Sequence, residues 1–132
     1  MTLLDASAVI GIIAGESDAA SLAARLGQAA AVVTSPIAVY EAVLGLARAG
    51  NLSIADATLL LDRFLAEVDA TVMPIDAACG RAAVSAFERF GKGRHPAALN
   101  LGDCFAYACA AVGDVPVLCK GDDFPRTDIG LV

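Results

Sequence analysis

Leu101-Gly102-Asp103-Cys104-Phe105-Ala106-Tyr107-Ala108-Cys109-Ala110-Ala111-Val112 is followed, after a short gap, by Val115-Pro116-Val117-Leu118-Cys119. The first run is apolar nearly all round, which predicts a helix buried inside a domain. The second predicts a strand fed by that helix. Asp103 stands in the first turn of the helix. A carboxylate is favoured there as a cap and by the helix dipole, and without partners it is costly to bury. Capping can account for Asp103 taken by itself. Three other segments, with Asp5, Glu41 and the pair Asp122-Asp123, carry acids in similarly apolar settings.

Strands are predicted at 2–4, 31–34, 71–75 and 115–119, with a short final one at 129–132. Pro74 inside the third marks it as an edge strand. Helices are predicted at 6–14, 18–28, 36–49, 54–68 and 77–90, besides the one at 101–112. Ser35-Pro36 reads as N-cap and first helical residue, and Gly50 as the residue that ends that helix. Glu41 shares a helix face with Ile37 and Leu44, so it is expected to point inward. Leu59, Leu60, Phe64 and Leu65 predict a broad apolar face on the next helix. Gly91 to Pro96 reads as a flexible basic loop, with the lone His95 exposed in it. The element order predicts an α/β fold: a mainly parallel central sheet of four to five strands with helices on both faces, as one domain over 1–132.

Composition narrows the function. The chain has 132 residues and is 58% hydrophobic, above the usual globular share, and the surplus apolar surface points to a partner or a second copy. A net charge of −6 argues against nucleic-acid binding by bulk charge but leaves room for a local basic rim. No apolar run reaches the ~18 residues of a membrane span, and no signal peptide is visible, so a cytoplasmic protein is expected. Four cysteines without a C-x-x-C pair and a single histidine exclude the usual structural zinc sites and a disulfide framework. No P-loop or G-x-S-x-G elbow is present, and Gly11 and Gly15 form no dinucleotide fingerprint.

In a sheet of this kind, ligands bind beyond the carboxyl ends of the strands. Asp5 ends the first strand, Asp122 and Asp123 follow the fourth, and Asp103 begins the helix antiparallel to it. Glu41 lies two turns into the helix after the second strand. These acids can therefore meet at one edge. Taken singly, Asp5 could be a cap, Glu41 an ion-pair partner of Arg48 or Lys120, and Asp122-Asp123 turn chemistry. Together, clustered carboxylates call for a cation, and all-oxygen ligation selects Mg²⁺ or Mn²⁺. The chemistry expected is hydrolysis of a phosphodiester by metal-activated water. A phosphotransfer domain with Asp5 as acceptor and Lys120 beside it fits less well. Ser7 stands where a dehalogenase-type phosphatase would need a second acid, and the acidic pair of a receiver domain is missing after the first strand.

Four segments carry a resemblance across the chain: Leu4-Asp5-Ala6-Ser7-Ala8; Thr34-Ser35 to Glu41; Leu101-Gly102-Asp103-Cys104 with Ala106-Tyr107-Ala108; and Lys120-Gly121-Asp122-Asp123-Phe124 with Thr127-Asp128-Ile129. In this order the chain resembles a PIN-domain protein, more narrowly a VapC-type toxin ribonuclease of a type II toxin–antitoxin system. The resemblance implies an endoribonuclease acting on structured RNA such as transfer or ribosomal RNA, with Mg²⁺ or Mn²⁺ at the acids. It implies a cognate VapB-type antitoxin and a homodimer built through the helices after the second strand. By motif, Asp5, Glu41 and Asp103 are the first three catalytic acids and metal ligands. Many relatives carry Asn-Asp where this chain has Asp122-Asp123; Asp122, nearer the strand end, is the expected fourth acid, with Asp123 the alternative. Ser7 and Ser35 match supporting positions. Arg89, Lys92, Arg94, Lys120 and Arg126 are the basic residues best placed for RNA. The rival reading is a non-catalytic PIN-like module that binds a partner or RNA.

Overall fold

The computed structural model describes all 132 residues. Four strands, β1 (Thr2–Leu4), β2 (Val32–Thr34), β3 (Ala70–Val72) and β4 (Val117–Leu118), form one sheet in the order β3-β2-β1-β4. All three pairings are parallel, with Leu3 opposite both Val33 and Val117. Strand residues alternate between two cores, as the period of two demands. Leu3, Val33 and Val117 face one core, and Leu4, Val32 and Leu118 face the other.

Helices cover both faces. On one side lie α1 (Ala6–Ile13), α2 (Ala19–Leu26), α3 (Pro36–Gly50) and α4 (Ile54–Glu67). On the other lie α5 (Ala77–Phe90) and α6 (Leu101–Gly113), packed closely on each other. The α6 run from Ala106 to Ala110 is buried without a break, as an apolar helix must be. Small residues at this contact let the helices approach, and the buried Cys79 and Cys109 thiols meet at 3.3 Å. All four cysteines are free.

Several expectations change. β3 ends at Val72, ahead of Pro74, because proline has no N–H for the ladder; β3 does occupy an edge. The segment 129–132 is a single parallel bridge, Leu131 to Val117, and not a full strand. Gly50 stays helical, and Asn51 takes the left-handed turn at φ 49° with its N–H on Ala47 O. Asparagine tolerates that conformation better than most residues. The buried stripe of α4 is Ala57, Leu61 and Leu65, while Leu59 is 50% exposed.

The loop 91–100 is fastened rather than free. Lys92 N–H donates to Leu99 O and Leu99 N–H to Phe90 O, both at 3.0 Å. His95 is half-buried, edge-on to Phe90 at 5.1 Å, and its Nδ1 accepts the Ala97 N–H. No single helix is long and apolar enough to cross a membrane.

Candidate active site

β2 and β3 lie to one side of β1 and β4 to the other, so the chain leaves a crevice beyond the carboxyl ends of β1 and β4. Asp5 sits at its floor. It caps α1, and its N–H donates to Leu118 O at 3.1 Å, joining the two strand ends. Its Oδ2 accepts the Ser7 N–H at 3.0 Å and the Ser7 hydroxyl at 2.5 Å. The Ser7 Oγ in turn accepts the Lys120 N–H at 2.9 Å. Ser7 thus fixes Asp5 against the turn after β4.

Asp103 is the third residue of α6, and the helix cap is Asn100. Asp103 N–H donates to Asn100 Oδ1 at 2.9 Å, and Asn100 N–H donates to Asp103 Oδ2 at 3.2 Å. This reciprocal capping box holds the Asp103 carboxylate at the helix entrance.

Glu41 reaches the crevice from α3, by a different route from the one its sequence neighbours suggested. The stripe of α3 that packs on the core is Ala38, Ala42 and Leu46, and Leu44 is 37% exposed. Glu41 is half-buried on the flank of that stripe, with its carboxylate against the backbone of Gly102; any Cβ at 102 would overlap it. Asp5, Ser7, Glu41 and Asp103 line a cleft of about 410 Å³ together with Ile10, Tyr40, Leu44 and Arg48.

The three acids perturb one another. Burial pushes Glu41 up to about 7, with the charges of Asp5 and Asp103 adding to it. Burial likewise raises Asp103 to about 6, aided by Asp5 and Asp123 and opposed by the Asn100 N–H. Burial also raises Asp5, against the hydrogen bonds from Ser7, and Asp123 again adds to the shift. Asp123 is therefore the member of the acidic pair whose charge reaches the cluster. As they stand, no three side chains form a ready-made chelate. The donor set is nonetheless all oxygen, which fits a hard divalent cation.

The other expected residues lie elsewhere. Ser35 Oγ accepts the Ala38 N–H at 3.0 Å and caps α3. Lys120 Nζ is held by Glu16 at 2.9 Å and Asp18 at 3.2 Å, and none of the chain's ion pairs joins Lys120 or Arg48 to Glu41. Arg89 pairs with Asp128 at 2.6 Å, alongside the Tyr107 hydroxyl. Arg126 donates to Pro96 O and Arg94 to Glu88 O. Lys92 is exposed outside the cleft. Sequence reasoning missed Asn100, Gly102, Tyr40 and Arg48 as site residues. The pattern Asn-x-x-Asp at 100–103 is a readable capping box, and a glycine in the first turn of an otherwise alanine-rich helix signals a close approach.

The family model for the PIN domain matches residues 2–130. A VapC ribonuclease of Mycobacterium bovis is 41% identical over 129 residues, spanning 96% of this chain and 90% of its own. A VapC ribonuclease of Rhizobium meliloti is 37% identical over 142 residues, spanning 98% of this chain and all of its own. Among solved structures, VapC20 of Mycobacterium tuberculosis, described as a sarcin–ricin loop cleaving toxin, superposes with a TM-score of 0.79. It covers 100% of this chain and 98% of its own at 16% identity, a likeness of fold. With the acid-lined crevice at the β1–β4 junction, these matches establish that the chain belongs to the PIN domain family, among its VapC ribonucleases.

Proposed function

We infer that the protein is the toxin endoribonuclease of a VapBC pair, and that it cleaves structured RNA, transfer or ribosomal, with Mg²⁺ or Mn²⁺. The observation that carries the metal dependence is the cleft where Asp5, Glu41 and Asp103 converge, with Glu41 pushed up to about 7 by burial and by the other two acids. Such a cluster is relieved by a cation. Asp5, Glu41 and Asp103 would hold the ion. Asp123 is the fourth acid in this reading, in preference to Asp122, because its charge acts on Asp5 and Asp103. When bound, the ion supplies a water of lowered pKa and neutralises charge on the phosphate. Ser7 keeps Asp5 oriented through the hydrogen bond to its hydroxyl. The capping box keeps Asp103 at the entrance, and Gly102 gives Glu41 its place.

The partners in this reading are the RNA and a VapB-type antitoxin that blocks the cleft, in the cytoplasm. A homodimer is supported by apolar side chains left exposed on α4, Ile54 at 55% and Leu59 at 50%. Purified protein should cut cellular RNA with Mg²⁺ or Mn²⁺ and stop on chelation. Full activity in chelator would sink the metal mechanism, and full activity of Asp103→Asn would remove Asp103 from it.

A further inference from the structure

The cleft extends further than the acids require. Beside Glu41 it takes in Tyr40, Leu44 and Arg48 of α3, and Ile10 of α1 also lines it. Those three α3 residues are spaced by four, so they form one ridge, about 12 Å long at the helical rise. Tyr40 is 65% exposed, and neither of the chain's aromatic pairs includes it. Tyr107, the other tyrosine, is buried. Arg48 is the one cation lining the cleft, and it enters none of the chain's ion pairs. An open aromatic face and an unpaired guanidinium on one ridge are the chemistry that holds a base and a phosphate of an unpaired strand. A cationic ligand would satisfy the acids but would be repelled by Arg48.

We propose that Tyr40 and Arg48 form a nucleotide subsite adjoining the acid cluster, Tyr40 stacking on one unpaired base and Arg48 holding a neighbouring phosphate. The substrate must then present an unstacked nucleotide beside the bond that is cut, as loops, bulges and single strands do and a continuous duplex does not. This deepens the ribonuclease reading and rests on it.

The probe is a fluorescein-labelled, mixed-sequence, single-stranded RNA 12-mer, titrated onto Asp103→Asn protein in Mg²⁺ so that it binds uncut. Tyr40→Ala should weaken binding about tenfold, within the range of base–aromatic stacking. Tyr40→Phe, which keeps the ring, should stay within about twofold of the parent. Arg48→Ala should weaken binding and flatten the dependence of log K on log salt by about 0.7, one single-strand phosphate contact. Both side chains are exposed, so folding should survive, and circular dichroism checks it. The subsite is overturned if Tyr40→Ala binds as the parent does, if Tyr40→Phe fails as badly as Tyr40→Ala, or if the Arg48→Ala salt slope is unchanged. It is equally overturned if the same variants lose only affinity for an antitoxin peptide, which would assign the ridge to a protein partner. Wild-type protein that cuts no RNA overturns the ribonuclease reading instead. Wild-type cleavage with unchanged Tyr40→Ala binding overturns the subsite alone.

Discussion

Gly102 leaves the space that the Glu41 carboxylate occupies. Alanine is better than glycine in a helix by about 1 kcal/mol, so Gly102→Ala should fold well while displacing Glu41. A displacement of this size near the chemistry costs on the order of a hundredfold in rate. Cleavage assays beside thermal melts check it: a stable, fully active Gly102→Ala would remove Glu41 from the reaction. In the proposed reading Asp103 has two separable duties, as an acid of the cluster and as part of the helix cap. Asparagine keeps an acceptor for the Asn100 N–H, so Asp103→Asn should lose cleavage and keep the cap. It should even gain stability in the metal-free protein at pH 8, because it removes one of the mutually repelling charges. Asp103→Ala loses the acceptor as well, and it should be less stable than Asp103→Asn by about 1 kcal/mol, measured by urea unfolding.

At the scale of elements, the two faces of α4 differ in what they touch. Leu61 is fully buried against the sheet-side core, and Leu59 is half exposed. Leu61→Ala should cost about 2–5 kcal/mol in a urea titration, and Leu59→Ala about 0.5 kcal/mol or less in the monomer. A larger loss for Leu59→Ala that depends on protein concentration would show that copies associate through this face. The sequence spaced apolar residues on both sides of this helix, so periodicity could not say which stripe faces the sheet. The same holds for α3. Ile37, Glu41 and Leu44 lie on one side as written, yet the sheet takes Ala38, Ala42 and Leu46. Small residues let the helix sit close to its neighbours, and Glu41 is turned to the flank, where the cleft is. By contrast α5 was legible to the residue, because Asp76 caps it on the Cys79 N–H and Gly91 ends it. Those are local signals that need no partner.

At the scale of the whole molecule, the acid cluster makes stability depend on pH and metal. Glu41 and Asp103 lie above their usual values, at about 7 and about 6, so the fold favours their protonated forms. Their contribution is full below the ordinary carboxylate range and is lost as pH rises through those values. The metal-free protein should therefore melt lower at pH 8 than at pH 5. Mg²⁺ should raise the melting temperature more at pH 8, where the carboxylates are charged, and Glu41→Gln should flatten the metal-free pH dependence. Thermal melts in chelator and in Mg²⁺ check both; an equal Mg²⁺ effect at the two pH values would count against ligation by these acids. The alternation of strands and helices, the burial of α6, the edge position of β3, and the gathering of Asp5, Glu41 and Asp103 at one sheet edge are all readable along the chain. Each of these follows from local periodicity, capping, or the rule for parallel sheets. Packing, not spacing, holds Lys120 and Arg89 on their own acids, brings the charge of Asp123 to bear on Asp5 and Asp103, and places Tyr40 and Arg48 along the cleft. Those outcomes depend on which helix face meets the sheet and which charges come within reach of one another, and neither is encoded in spacing along the chain.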